Sequence, residues 1–207
     1  TIIRRYAAAA VTASEVDDGR VKGLFYQPAS VTGIPVVVVA GSGGGAWRDA
    51  AALLASRGHP ALAVAYFNYP GLSASLESVP IETFAEANRW LSERTGAARV
   101  AMLGVSRGTE AVQLTAAHFP EHVAAIVLFV PAPLVHGGFG PGGGTGRAAW
   151  TLRGEPVPFV HLSERVTGEA LAEAGRTPPG HSDAPAFLAE WRRPVSYERW
   201  GIPYDRI

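Results

Sequence analysis

The stretch RVAMLGVSRGTE, residues 99–110, decides the fold that this sequence predicts. It opens with an apolar run at 99–103 that is typical of a buried strand, and residues 107–118 continue it with a helical pattern. Between the two stands GVSRG, residues 104–108, which has the form G-x-S-x-G. A serine in a sharp turn from strand to helix projects its hydroxyl above the carboxyl edge of a sheet. We therefore expect Ser106 to act as a nucleophile.

In this interpretation, there is a physical reason for the residue type at the positions around Ser106. Gly104 and Gly108 lack the Cβ atoms that would collide with the neighbouring strand and helix. The N-terminus of the helix favours developing negative charge, and the backbone N–H of Arg107 is the expected first oxyanion donor. A chain with 24 glycines also produces the pentapeptide by chance. In that case Ser106 would only cap the helix, for which serine is well suited.

Apolar runs and helical patterns alternate along the rest of the chain, which favours an α/β fold with a mostly parallel sheet and helices on both faces. We predict buried strands at 35–40, 61–67, 99–103 and 123–130, and helices at 47–57, 81–95 and 107–118. Runs at 11–16 and 21–26 flank Asp18-Gly19 and predict a hairpin. Three further segments are predicted without strands: a polar loop at 68–80, a mobile glycine-rich loop at 137–146, and residues 150–200.

A second glycine loop, GSGGG at 41–45, follows the strand at 35–40. In a hydrolase of this type, Ser42 or Gly43 would give the second oxyanion N–H. With Ala46, the same loop also fits G-x-G-x-x-A, a pattern that binds dinucleotides. That alternative needs an acidic residue at the end of the next strand, and the sequence there is AYFN, residues 65–68. The hydrolase interpretation explains both glycine loops.

Composition excludes several classes of protein. Eighteen basic residues balance 18 acidic ones, so the chain has no basic stripe of the kind that binds nucleic acid. It has no Cys, which excludes disulfides, thiolate metal sites and a cysteine nucleophile. The longest apolar runs are too short to span a bilayer, and no secretory signal pattern is present. We expect a cytoplasmic protein that uses neither a metal nor an organic cofactor.

Several side chains near the predicted site have open alternatives. Glu110, one helical turn after Ser106, could organise the turn through a hydrogen bond or lie in solvent. It is too local to be the acid of a catalytic triad. Arg107 could pair with Glu110, meet an anionic substrate, or lie on the surface. Tyr66, Phe67 and Tyr69 lie near the expected pocket, although core packing explains the first two equally well.

A serine hydrolase also needs a histidine base oriented by a carboxylate, and neither is convincing within the chain. The histidines after Ser106 are His118, His122, His136, His161 and His181, and the aspartates are Asp183 and Asp205. None follows a predicted buried parallel strand. Because the sequence starts without Met and stops without a change of pattern, we expect the acid and the histidine beyond Ile207.

The chain resembles the catalytic domain of the acyl-CoA thioesterase / bile acid-CoA:amino acid N-acyltransferase family, whose catalytic domain is an α/β-hydrolase. The resemblance covers roughly residues 15–207. It rests on GSGGG at 41–45, AVAYFNY at 63–69, VPIETF at 79–84 leading into Trp90-Leu91, GVSRGTE at 104–110, GEPVP at 154–158 and IPYDRI at 202–207.

The resemblance implies a fragment of a longer enzyme. Residues 1–10 would be the tail of an upstream domain, and 11–207 an incomplete catalytic domain with a lid-like excursion at 134–200. Family members with serine as nucleophile resemble thioester hydrolases, so the implied activity is cleavage of acyl-CoA-type thioesters to free acid and CoA. Two alternatives remain: a carboxylester or dienelactone-type hydrolase, and a non-catalytic fragment or binding module. The sequence predicts no oligomeric state.

Overall fold

Strands and helices alternate along the chain as the sequence predicts. The structure, a computed structural model, describes residues 6–160 and 202–203. The helices are α1 (Arg48–Ala55), α2 (Glu82–Thr95) and α3 (Arg107–His118). The strands are β1 (Thr12–Asp17), β2 (Lys22–Gln27), β3 (Val36–Val39), β4 (Ala61–Ala65), β5 (Val79–Pro80), β6 (Val100–Val105), β7 (Val123–Phe129), β8 (Gly137–Gly140), β9 (Gly143–Ala148), β10 (Trp150–Leu152) and β11 (Glu155–Pro156). None of these helices is long and apolar enough to cross a membrane.

The main sheet of the described part has six strands in the order β1-β2-β4-β3-β6-β7. β1 and β2 form the predicted antiparallel hairpin, and β2 runs antiparallel to β4. β4, β3, β6 and β7 are parallel to one another, which confirms the mostly parallel sheet. Helices cover both faces, because residues of β3 alternate between two apolar clusters. Val37 and Val39 pack with α2 and α3, whereas Val36 and Val38 pack with α1.

The strand order places the two glycine loops side by side. The chain passes from β3 to β4 on one side and later returns to β6 on the other, so the direction of winding switches at β3. Ligands of parallel α/β sheets bind outside the carboxyl ends of the strands at such a point. Val39 pairs with Gly104, and both strands end within a few residues of this pair. The loop at 41–45 therefore lies next to Ser106.

The prediction that 123–130 is buried on both faces is wrong for the described part of the chain. Among the described residues, β7 lies at the edge of the sheet and its only neighbour there is β6. On one face Val127 is 47% exposed and Phe129 is 51% exposed. This is the face that α1 covers elsewhere, and α1 packs over β2, β3 and β4. Apolar composition predicted the strand correctly, but it carries no information about which neighbour covers each face.

The predicted mobile loop at 137–146 is instead an antiparallel hairpin made of β8 and β9. Two backbone hydrogen bonds between Phe139 and Leu76 hold it against the preceding loop, at 2.8 and 3.0 Å. A Cβ at Gly138 would lie 2.7 Å from the carbonyl oxygen of Leu76, which is closer than packed atoms approach. These glycines therefore permit close backbone contact, and the glycine-rich composition was misread as a sign of mobility.

Short strands were also missed at 68–80 and 150–200. β5 pairs with β10, and β10 with β11, in a three-stranded sheet. Strands of two or three residues are too short to show a period, which is why no pattern indicated them. Residues 161–200 of the predicted lid-like excursion, and residues 1–5 of the predicted tail, lie outside the described residues. The proposed domain boundaries thus stay a prediction.

We expect Gly138→Ala to lower the free energy of unfolding by about 1–3 kcal/mol, because the added methyl must displace backbone of the packed loop. Gly142→Ala is the matched control in the same hairpin, since a Cβ there would meet no atom within 4 Å. It should change stability by less than about 0.5 kcal/mol. Urea unfolding of the two variants measures the difference. Equal stabilities would show that the hairpin is not packed as described.

Candidate active site

The backbone of Ser106 has an unusual conformation for a residue with a side chain. Its φ is 50° and its ψ is −121°, and α3 begins at the next residue. The N–H of Ser106 donates to the carbonyl of Phe129 at 2.9 Å, which fixes the turn against β7. Such a conformation costs about 1–3 kcal/mol and is retained mainly where function needs it. The hydroxyl of Ser106 forms no capping hydrogen bond with α3. The alternative in which Ser106 serves only as a helix cap is thus wrong.

Two glycines make this turn possible, as predicted. A Cβ on Gly108 would lie 2.3 Å from the carbonyl oxygen of Ala40 at the end of β3. A Cβ on Gly104 would lie 2.8 Å from the carbonyl oxygen of Gly108. Strand β6, the start of α3 and the end of β3 therefore meet at backbone contact distance. Any side chain at either position would push α3 away from the sheet.

The loop at 41–45 is held beside the serine by its own backbone. A Cβ on Gly41 would lie 3.2 Å from Cβ of Ser106, so these two residues are direct neighbours. Gly44 N–H donates to the carbonyl of Gly41 at 3.0 Å, and Gly45 N–H donates to the carbonyl of Phe67 at 2.8 Å. The side-chain amide of Asn68 donates to the carbonyl of Gly43 at 2.8 Å. Asn68 thus fastens the loop to the end of the next strand.

Three backbone N–H groups near Ser106 are the candidates for the predicted oxyanion hole. Arg107 is the first residue of α3, so its N–H has no acceptor within the helix. The N–H groups of Ser42 and Gly43 donate to no acceptor among the described residues, although their neighbours Gly44 and Gly45 do. Ser42 lines the same cavity as Ser106 and Arg107. The oxyanion donors at Arg107 and at Ser42 or Gly43 stay a prediction.

Tyr66 and Phe67 belong to the core and contact the segments that form the site. The Tyr66 hydroxyl donates to the carbonyl of Ala40 at 2.6 Å and so ties β4 to the end of β3. Burial raises the pKa of Tyr66 above its ordinary value, so the hydroxyl stays protonated. Phe67 packs edge-on against Phe139, with ring centroids 5.8 Å apart. Tyr69 is half-buried and does not line the cavity at Ser106.

Glu110 is buried, and the alternative that places it in solvent is wrong. Only 1% of its side chain is exposed. Its carboxylate accepts hydrogen bonds from Arg107 Nη1 at 2.7 Å and from Trp150 Nε1 at 2.8 Å. His136 Nδ1 lies 2.7 Å from the same carboxylate, and the backbone N–H of His136 donates to it at 3.3 Å. One carboxylate therefore joins α3 to the segment after β7 and to β10.

The side chain of Arg107 turns inward, which rules out its predicted surface alternative. It is 10% exposed, and its Nη2 donates to the carbonyls of His136 and Gly137, both at 3.0 Å. The guanidinium lies about 6 Å from the ring centroids of Phe139 and Trp150, at 5.9 and 6.0 Å. Burial lowers the pKa of Arg107, and the charge of Glu110 opposes this shift. This cation is thus engaged by protein groups and is not presented to an anionic substrate.

A cavity of about 680 Å³ opens beside Ser106. Its lining combines the polar groups just described with apolar side chains from the segment after β7 and from β8. The lining residues are Ser42, Ser106, Arg107, Glu110, Val130, Pro131, Ala132, His136, Gly137 and Phe139. This volume suits a small organic ligand.

Sequence reasoning missed His136, Phe139 and Trp150 at this site. The one available signal was the PAP sequence at 131–133, which ends a parallel strand and therefore marks the carboxyl edge of the sheet. His118 ends α3 and His122 lies 3.5 Å from Glu121, and neither lines the cavity. His161, His181, Asp183 and Asp205 lie outside the described residues. Within residues 6–160 and 202–203, no three His, Asp or Glu side chains converge as a metal site requires.

Comparison with known proteins supports the hydrolase interpretation over the dinucleotide one. The α/β hydrolase fold family matches residues 34–159. Human acyl-coenzyme A thioesterase 1 is 31% identical over 176 residues, which cover 82% of this chain and 39% of that protein. Mouse bile acid-CoA:amino acid N-acyltransferase is 38% identical over 92 residues, covering 44% of this chain and 22% of that protein. The chain thus spans well under half the length of these curated relatives.

Solved structures also match the chain, at lower identity. The crystal structure of DphMB1 is 21% identical with a TM-score of 0.48, and the match covers 64% of this chain and 48% of that one. A serine hydrolase from Cycloclasticus zankles is 18% identical with a TM-score of 0.43, covering 60% and 48%. Together with the curated relatives, the family match shows that this chain is a hydrolase-fold protein that belongs to the acyl-CoA thioesterase / bile acid-CoA:amino acid N-acyltransferase family.

Proposed function

We propose that this protein hydrolyses acyl-CoA-type thioesters, with Ser106 as nucleophile. The observation that carries the proposal is the strained turn at Ser106, which holds an uncapped hydroxyl at the mouth of a cavity. The curated relatives supply the substrate class, because those named above are an acyl-coenzyme A thioesterase and a bile acid-CoA:amino acid N-acyltransferase.

In this proposal Ser106 Oγ attacks the thioester carbonyl carbon and loses its proton to a base. The N–H groups of Arg107 and of Ser42 or Gly43 hold the oxygen as it becomes negative. The C–S bond then breaks, CoA leaves as a thiol, and water hydrolyses the acyl-serine to release the acid. The carboxylate and histidine that we predict beyond Ile207 stay a prediction. No described residue forms a hydrogen bond with Ser106 Oγ.

The walls of the cavity favour the acyl part of the substrate over its anionic part. Val130, Pro131, Ala132 and Phe139 offer apolar surface. Arg107 is the only Arg or Lys in the described lining, and its charge is opposed by Glu110. A phosphate of CoA would find no free cation there. We therefore place the acyl chain in this cavity, with the carbonyl at Ser106.

Water, and not an amine, is the proposed acceptor of the acyl group. The family resemblance links a serine nucleophile with hydrolysis and a cysteine nucleophile with transfer to amino acids. Ser106 stands at the nucleophile position, and the chain has no Cys at all. The products should therefore be free acid and CoA even when a free amino acid is present.

Ser106→Ala should reduce kcat for acyl-CoA hydrolysis by about 10³-fold or more, because the step through the acyl-enzyme is lost. Ser42→Ala is the matched control in the neighbouring loop. It keeps the backbone N–H that we assign to the oxyanion, so activity should stay within about 3-fold. A thiol-release assay on the protein at the full length its gene encodes makes both measurements.

Three outcomes of this assay, run together with an assay on simple carboxylic esters, would change the proposal. Full activity of Ser106→Ala would remove the nucleophile. Hydrolysis of simple carboxylic esters without any hydrolysis of acyl-CoA would favour the carboxylester alternative. Absence of both activities in the parent protein would leave a non-catalytic hydrolase scaffold.

Phe139→Ala should lower kcat/KM for a medium-chain acyl-CoA by about 5–30-fold and leave acetyl-CoA within about 2-fold, because only a longer chain reaches this wall. Phe159→Ala is the matched control, since Phe159 packs at Gly137 without lining the cavity at Ser106. In Phe159→Ala, the ratio of kcat/KM for the medium-chain acyl-CoA to kcat/KM for acetyl-CoA should equal that of the parent. Equal loss on both substrates in Phe139→Ala would place the acyl chain elsewhere.

A further inference from the structure

A buried ion pair lies in the lining of the cavity at the proposed nucleophile, and its two charged groups have no part in the reaction as written so far. It joins Arg107 and Glu110, which are 10% and 1% exposed. Burying two charges costs about as much as their attraction returns, so apolar residues of similar size are often equally stable. Fold stability alone is therefore a weak reason for this pair. The position of the pair near Ser106 suggests a different reason for its presence.

The backbone N–H and the guanidinium of Arg107 have different roles in the proposed site. Its backbone N–H belongs to the first position of α3, where we expect the oxyanion. Its guanidinium forks onto the carbonyls of His136 and Gly137. Because these carbonyls stand at the start of β8, the same residue also contacts the wall that carries Phe139.

Glu110 holds Arg107 in that orientation. The carboxylate binds Nη1 of Arg107 while Trp150 and His136 bind the same carboxylate from β10 and from the segment before β8. Trp150 is fully buried and packs against Tyr66, with ring centroids 5.7 Å apart. Neither member of the pair can move without breaking contacts in three parts of the fold. We call Arg107, Glu110, His136 and Trp150 the clamp.

Two other roles fit the contacts less well. An anion-binding role for Arg107 conflicts with the engagement of Nη1 and Nη2 by protein acceptors and with the two aromatic rings beside the guanidinium. A role for Glu110 as the orienting acid of a triad conflicts with its sharing among Arg107, Trp150 and His136. A triad acid is directed mainly at one imidazole.

We propose that Glu110 and Arg107 are positioning residues, and that the clamp fixes the oxyanion donor of Arg107 relative to the acyl-binding wall. The inference rests on the proposed nucleophile Ser106. A misplacement of about 1 Å in such a group can cost about 100-fold in rate. Loss of the clamp should therefore lower kcat much more than it raises KM, for short and long acyl chains alike.

The test uses variants that separate positioning from stability, in the protein at the full length its gene encodes. The double variant Arg107→Met/Glu110→Gln removes both charges while keeping the volume. Gln can still accept from Trp150 Nε1 and donate to His136 Nδ1. Arg107→Lys keeps the cation and the backbone N–H but loses the fork onto two carbonyls. Glu77→Gln is the control, since it breaks the exposed ion pair between Glu77 and Arg147, a residue of the hairpin of β8 and β9.

Three quantities are measured for each variant: Tm, the kcat and KM for acetyl and medium-chain acyl-CoA, and the rate at which a fluorophosphonate labels Ser106. We expect the Tm of the double variant to stay within about 5 °C of the parent, because both charges are removed together. Its kcat and labelling rate should fall by about 10–100-fold. The kcat and labelling rate of Arg107→Lys should fall by about 10-fold, and those of Glu77→Gln should stay within 2-fold of the parent.

Retention of kcat and labelling within 2-fold in either clamp variant would overturn the inference and leave the proposed function standing. A loss of rate that follows the loss of Tm, or one that Glu77→Gln shares, would also overturn it. A parent protein that labels at Ser106 without hydrolysing acyl-CoA would refute the proposed substrate, and the labelling rates alone would then decide this inference. A parent that does not label would refute both.

Discussion

The contact between Gly108 and the carbonyl of Ala40 is the constraint on which the site depends. Because no side chain intervenes, α3 starts against the end of β3, and the chain must turn sharply at Ser106 to get there. The positive φ of Ser106 follows from this geometry. The same close approach sets the loop at 41–45 beside the serine. Backbone packing thus positions the proposed nucleophile and the loop with the proposed oxyanion donors, before any side-chain chemistry is considered.

Side chains then stabilise the arrangement from the far side. Tyr66 and Asn68, which follow β4, bind the carbonyls of Ala40 and Gly43 and hold the loop after β3. Arg107 and Glu110 hold the start of α3 against the hairpin of β8 and β9. The side chains of these four residues therefore hold the backbone around Ser106 in place. The cavity itself is lined by Ser42 and Ser106, by the clamp residues Arg107, Glu110 and His136, and by an apolar wall.

The fold and the turn at Ser106 were predictable because each rests on a local pattern. Apolar runs indicated β3, β4, β6 and β7, and GVSRG between a strand and a helix indicated the turn. The burial of Glu110 was not predictable, because its partner Trp150 lies 40 residues away. The hairpin at 137–148 was missed because the glycines that permit close packing look the same as those of a mobile loop. The exposure of Phe129 depends on which strand lies at the edge, and composition does not specify this.

The central claim is that Ser106 is an activated nucleophile in an acyl-binding cavity. The most direct test treats the protein, at the full length its gene encodes, with a fluorophosphonate probe and maps the modified residue by mass spectrometry, with and without a medium-chain acyl-CoA as competitor. The account predicts a single adduct on Ser106 and slower labelling in the presence of acyl-CoA. An adduct on another residue, or labelling of Ser106 that acyl-CoA does not slow, would contradict it.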